Sequence, residues 1–153
     1  GNLARYVARQ TGRQIIPWEG CCPVHDRLTA AAVRAVRRLH PDAVFAAHPE
    51  CTGEVLDLAD FVGSTTGIIG YAGRPEVTKL IVGTERGVFY ELQTRYPTKT
   101  FIPAAEDFLC LDMKLTTLED IHAALIERRY IVKVPEAVRI PARRALDRML
   151  ALA

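Results

Sequence analysis

Short apolar runs alternate with longer amphipathic stretches along almost the whole chain. Leu3, Ala4, Val7 and Ala8 recur at helical spacing, which predicts a helix from Leu3 to Gln10, stopped by Gly12. Gln14 to Trp18 is expected to be a short strand. Thr29 suits the N-cap of a helix running to about Leu39 and closed by Pro41. Ala43 to Ala47 predicts a buried strand that runs straight into His48-Pro49-Glu50-Cys51. A helix is expected around Glu54 to Ala59, then the brief apolar pair Phe61-Val62, then GSTTG, which opens another helix. Lys79 to Val82 predicts a third strand ending in Gly83-Thr84-Glu85, followed by a helix from about Arg86 to Tyr96 and a fourth strand over Thr100 to Pro103. The tail predicts a helix over Thr117 to Arg129, a strand over Tyr130 to Val134 and a basic helix from Ala137 to Leu150.

Strands alternating with helices imply a parallel sheet covered on both faces, an α/β fold. At 153 residues the chain suffices for one full domain or one and a half small ones. Its 49% hydrophobic and 25% charged residues are ordinary for a globular protein. A net charge of +2 argues against a nucleic-acid partner, and Arg34, Arg37 and Arg38 lack interleaved aromatics. No apolar run reaches membrane-spanning length and no signal peptide opens the sequence, so no membrane association is expected. Four irregularly spaced cysteines do not suit a disulfide framework; a reducing cytoplasm, with thiols kept for metal or catalysis, fits better. Gly1 opens on what reads as the middle of a helix, so the chain is expected to be a piece of something longer.

Ligands of open parallel sheets bind beyond the carboxyl ends of the strands. Three unusual loops lie there: HPEC, GSTTG and GTERG. His48 and Glu50 are two apart, so extended backbone projects both to one face, and Pro49 stiffens the link. An imidazole beside a carboxylate suits proton transfer; a solvated polar loop is the plainer use of the tripeptide. Ser64 and Thr65 stand where a strand turns into a helix and offer amides and hydroxyls to a phosphate or carboxylate, although an ordinary helix cap is far commoner. Glu85 argues against an anion at GTERG and suits a charge on the helix dipole. No CxxC pair occurs. Cys22, His25, Cys51 and Cys110 could be assembled into a zinc site, and Cys22 and Cys110 lie in loops suited to a soft metal. Neighbouring extended side chains point to opposite faces, so one of Cys21 and Cys22 at most faces a given metal, and Cys21 is the better candidate for a plain small thiol. A zinc-binding domain and a phosphate-binding module on GSTTG therefore stand open beside an enzyme.

The blocks NLARYVARQTG, CPVH, PDAVFAAHPEC, ADFVGSTTGII, LIVGTERGVFYEL, CLDMKLTTLEDI and ARRALDRML occur in the order and at about the spacings of the quinolinate synthase family. The chain resembles the C-terminal half of that family over essentially its whole length. The resemblance implies three-layer α/β/α domains with short parallel sheets around a pseudo-threefold axis. On it, residues 1–22 end the middle domain, 23–110 form the third and 111–153 a C-terminal helix-strand-helix segment. It implies condensation of iminoaspartate with dihydroxyacetone phosphate to quinolinate in NAD biosynthesis, in the cytoplasm, with a functional link to L-aspartate oxidase. It implies a [4Fe-4S] cluster acting as a Lewis acid, with Cys22 and Cys110 as ligands. His25, His48 and Glu50 are then catalytic, and Ser64 and Thr65 hold the substrate's carboxylate or phosphate. Cys21 and Cys51 match no ligand position. The family's first cluster cysteine and a catalytic tyrosine belong to the N-terminal half, so the chain carries two of three cluster ligands and is not expected to turn over alone.

Overall fold

Four apolar runs form one parallel sheet in the computed structural model, which describes residues 1–152. The strands are β1 (Val44–Ala47), β2 (Phe61–Val62), β3 (Lys79–Gly83) and β4 (Thr100–Pro103), in the order β2-β1-β3-β4. Ala47 pairs with Val62 on one side and with Gly83 on the other, and Val82 pairs with Pro103.

Side chains alternate across a pleat, and this sheet shows the alternation in its two cores. Phe45, Ala47 and Ile81 point to one face, where they pack with Val33, Val55 and Leu56. Ala46, Leu80 and Val82 point to the other, against Ile68, Ala72, Val88 and Leu92. The first face is covered by α2 (Pro23–Asp26), α3 (Ala30–Leu39) and α4 (Gly53–Leu56), and the second by α5 (Thr65–Ala72) and α6 (Val88–Arg95). This is the expected three-layer α/β arrangement. The opening helix α1 (Asn2–Thr11) adds Tyr6 to the first core and ends on Gly12, whose φ of 66° is the left-handed conformation that glycine adopts freely. Thr29 caps α3 as expected, its hydroxyl accepting from the Ala32 amide at 3.2 Å. Gly83 is required where it stands: a Cβ there would meet the Phe45 ring at 2.8 Å and the Ala46 carbonyl at 3.0 Å.

Contacts divide the chain into two compact units, the first over Gly1–Leu111 and the second from Asp112 onward. The second unit holds a short 3₁₀ turn at Asp112–Lys114, α7 (Leu118–Glu127) and α8 (Glu136–Leu150). Thr117 and Asp120 form a reciprocal capping box at the start of α7. Among its described residues none is buried, and Leu118, Leu125, Ile131 and Leu146 are all exposed.

Two expected strands are absent among the described residues. Gln14 to Trp18 forms neither strand nor helix, and Ile16 and Trp18 are 94% and 85% exposed. A strand needs an edge to pair with, and Pro17 removes a donor from so short a run. Tyr130 to Val134 is likewise irregular: Arg128 and Tyr130 take positive φ, and Pro135 follows at once. No helix of the described residues is long and apolar enough to cross a membrane.

Truncating Ile81, fully buried in the central strand, removes packing that nothing else can fill. Ile81→Ala should cost about 2–5 kcal/mol, whereas Tyr90→Ala, at a position 78% exposed, should stay within about 0.5 kcal/mol. Urea midpoints compared at equal slope give both values, and similar costs at the two positions would contradict the core assignment.

Candidate active site

The chain leaves β1 for β2 on one side and returns to β3 on the other side of β1. After β1 it enters α4, over the first face; after β3 it enters α6, over the second. The connections therefore diverge between adjacent strands β1 and β3, and such a switch point opens a crevice at the carboxyl edge of the sheet. His48 follows β1 directly and Thr84 follows β3 directly, and the His48 amide donates to the Gly83 carbonyl at 3.0 Å.

The CPVH segment comes to this crevice as a single helical turn. Cys22 is extended at the N-cap of α2, and Pro23 sits in the first turn, where its missing N–H costs nothing. Cys21 is exposed and Cys22 half-buried against the first core, although both line one cavity. The turn carries His25 inward, where it is 8% exposed. Its Nδ1 lies 3.1 Å from Cys22 Sγ and 4.0 Å from a Glu50 carboxylate oxygen, and its Nε2 lies 3.0 Å from the Thr84 hydroxyl. The ring stacks on His48 with centroids 4.4 Å apart and meets the Phe108 ring edge-on with centroids 5.5 Å apart. Cys22, His25 and Glu50 offer ligand atoms all within 4.8 Å of one another, close enough for a metal ion.

Burial strips water from both imidazoles. It pushes the His25 pKa down to about 4, with His48 adding to the effect and Glu50 and Glu85 opposing it. Burial also lowers His48, against the pull of Glu50. Both rings are therefore neutral near pH 7. His48 Nδ1 accepts from the Glu50 amide at 3.3 Å, which leaves its proton on Nε2. The same tripeptide thus turns back on itself, and it holds the Glu50 carboxylate partly exposed at the mouth.

Cys110 lies outside the tight group but at the same edge. Its amide donates to one oxygen of the buried Glu85 at 3.3 Å, while the other oxygen accepts from the Gly87 amide at 2.7 Å. Glu85 therefore does serve the start of α6, and it also braces the Cys110 loop, a role that its sequence context hid. Thr84 was likewise missed; a polar pair that continues a buried strand without a break in burial is the signal that reveals both. Cys51, fully buried, donates its thiol to the Gly83 carbonyl at 3.6 Å, and burial pushes its pKa up to about 12. It does not join the ligand group. Ser64 caps α5 by accepting from the Gly67 amide at 3.1 Å, and Ser64 and Thr65 are both exposed. Asn2 ties the region to α1 by donating to the Glu50 carbonyl and to Asp26. A cavity of about 630 Å³ opens beside the group, lined by Asn2, Val7, Ile15, Trp18, Cys22 and Glu50 among others.

Fold and site together define a parallel α/β domain with a thiol, imidazole and carboxylate group at its topological switch point. Comparison with known proteins names the family. Residues 1–151 match the family described as Quinolinate synthetase A protein. A quinolinate synthase of Geotalea uraniireducens (strain Rf4) is 49% identical over 151 residues, which are 99% of this chain and 50% of the relative. Quinolinate synthases of Geobacter sp. (strain M21) and Methanosarcina acetivorans (the protein called quinolinate synthase 1) are each 46% identical over the same shares. The chain belongs to the quinolinate synthetase A protein family, and it spans about half the length of the curated relatives it matches.

Thiolates, not thiols, react with alkylating agents. Cys51 should therefore stay unlabelled by iodoacetamide at pH 8 in the native protein, while exposed Cys21 is labelled. Peptide mass mapping checks this, and native labelling of Cys51 ahead of Cys21 would contradict the burial described.

Proposed function

We propose that the chain is the C-terminal part of a quinolinate synthase, which condenses iminoaspartate with dihydroxyacetone phosphate to quinolinate, releasing phosphate and water. On this reading, the pseudo-threefold arrangement belongs to the intact protein, with residues 1–22 ending its middle domain, 23–110 forming its third and 111–153 a C-terminal segment. The observation that carries the reading is the joining of Cys22, His25, His48 and Glu50 into one crevice in a chain of this family. The reaction, its cytoplasmic setting and the link to L-aspartate oxidase follow from the family and rest on it.

The donor set fits an iron–sulfur cluster. Cys22 and Cys110 are both half-buried against the same core, and contacts run from Cys22 through His25 and Thr84 to the adjacent Glu85 and on to Cys110. Two thiolates of one cluster bind different irons, so a Cys110 standing outside the tight group suits the cluster better than a single ion. When bound, a [4Fe-4S] group with an iron open to substrate supplies Lewis acidity. The remaining work falls to side chains. Glu50, at the mouth with an adjacent neutral imidazole, accepts a proton from the substrate; His48, with its proton on Nε2, donates a hydrogen bond. Ser64 and Thr65 hold the carboxylate or phosphate through hydroxyls and through first-turn amides that the Ser64 cap leaves over. The cavity beside Cys22 and Glu50 gives the substrates room.

A single ion such as zinc is the second reading, favoured by the 4.8 Å grouping of Cys22, His25 and Glu50. Metal analysis of the intact protein decides: iron with equivalent sulfide supports the cluster, and stoichiometric zinc without them supports the ion. In the intact protein, Cys22→Ser and Cys110→Ser should lose most of the iron, while Cys21→Ala and Cys51→Ser keep it. Iron retained in Cys22→Ser and lost in Cys51→Ser would reverse the ligand assignment. Glu50→Gln should keep the wild-type iron content and lose product formation by about 100-fold or more, the usual scale for a proton-transfer group; normal turnover there would remove Glu50 from the chemistry.

A further inference from the structure

We propose that Thr84 is a positioning residue that anchors His25 through Nε2, so that the ring donates a hydrogen bond from Nδ1 to the Cys22 sulfur. The inference deepens the cluster reading, since it takes Cys22 as a thiolate ligand. The geometry is one-sided. At Nδ1 stand the Cys22 sulfur at 3.1 Å and the Glu50 carboxylate at 4.0 Å. A thiolate and a carboxylate only accept, so the proton belongs on Nδ1. A neutral ring then presents a bare lone pair at Nε2, where it meets the Thr84 hydroxyl at 3.0 Å. Thr84 is 3% exposed, so water cannot replace it as the donor.

The ring is also fixed against rotation by the His48 stack and the Phe108 edge. Within that frame, the acceptors at Nδ1 place the proton there, and the Thr84 hydroxyl meets the lone pair left at Nε2. Without it, Nε2 would be a buried acceptor with no donor. The ring would then shift toward another donor at the expense of the bond to sulfur, because orphaned buried acceptors are costly. Hydrogen bonds to cluster sulfurs spread negative charge and favour the reduced state, so their loss lowers a reduction potential. His25 thereby acts as a donor that tunes Cys22, and proton removal from substrate is left to Glu50.

The test uses the intact, iron-loaded protein and the near-isosteric Thr84→Val with Thr84→Ser as rescue. Iron and sulfide per chain should be unchanged in both. The cluster potential should shift to lower values in Thr84→Val and return to the wild-type value in Thr84→Ser. An unshifted potential in Thr84→Val, or an equal shift in both variants, overturns the proposal, the latter because the change would then not follow the hydroxyl. Should Thr84→Val fail to fold, deuterium ENDOR of the reduced wild type in heavy water decides. An exchangeable coupling that disappears in His25→Phe supports the bond, and identical spectra of the two overturn it. A wild type without stoichiometric iron and sulfide defeats the cluster reading separately. The tautomer is then read from nitrogen NMR shifts of histidine-labelled protein, where Nδ1–H supports the proposal and Nε2–H overturns it.

Discussion

The pairing of Ala47 with Gly83 sets two adjacent strand ends side by side at the one place where their outgoing connections part to opposite faces. His48 and Thr84 emerge there because they are the next residues of each strand, and a slip of register would separate them. The register itself rests on the pleat, which sends Phe45 and Ile81 to one core and Ala46, Leu80 and Val82 to the other. A shift by one residue in either strand would set the two alternating patterns against each other. The bare Cα of Gly83, against the Phe45 ring, leaves little room for another fit. Core packing and site geometry are therefore the same constraint seen from two ends.

Burial then determines what the assembled groups can do. Two stacked imidazoles held neutral bring no positive charge to the crevice. The imidazoles instead offer directed hydrogen bonds: the Glu50 amide sets the polarity of His48, and His25 is held between the Cys22 sulfur and the Thr84 hydroxyl. Glu50 keeps contact with solvent at the mouth. A carboxylate that is neither buried nor bridged by a strong base remains available as a proton acceptor.

The sheet was legible because its strands carry their own evidence: apolar runs bounded by turn residues, with charged helices between them. Thr100 to Pro103 is found with the boundaries read from sequence, and Thr29 and Ser64 cap the helices they were expected to cap. Gln14 to Trp18 and Tyr130 to Val134 have strand-like composition but pair with no strand, and composition cannot report a missing neighbour. At the site, His48 and Glu50 were readable as a pair because two residues of spacing fix their relation locally. The approach of His25 to Thr84 spans 59 positions. Nothing in either local sequence foretells it, which is why Thr84 and Glu85 looked like ordinary helix-start residues.

The four cysteines show how far environment outweighs motif. HPEC draws the eye to Cys51, beside the histidine and the carboxylate. Yet the turn that brings Glu50 to the mouth sends the next side chain back into the core, where the thiol finds a backbone carbonyl and burial suppresses its ionisation. A ligand thiol must lose its proton and reach a metal beside the other ligand atoms, and Cys51 is poorly placed for both. Cys21 differs in another way: it is exposed and does not join the group its neighbour belongs to. Cys22 sits between these extremes, half-buried, at a helix start and within hydrogen-bond reach of a histidine whose far side is anchored. Cys110 shares the intermediate burial, and its amide is held by a buried carboxylate that belongs to the same strand end. Intermediate burial with a partner that fixes the thiol or its loop distinguishes this pair from the other two, and both are tied to the exit of β3, Cys22 through His25 and Thr84 and Cys110 through Glu85.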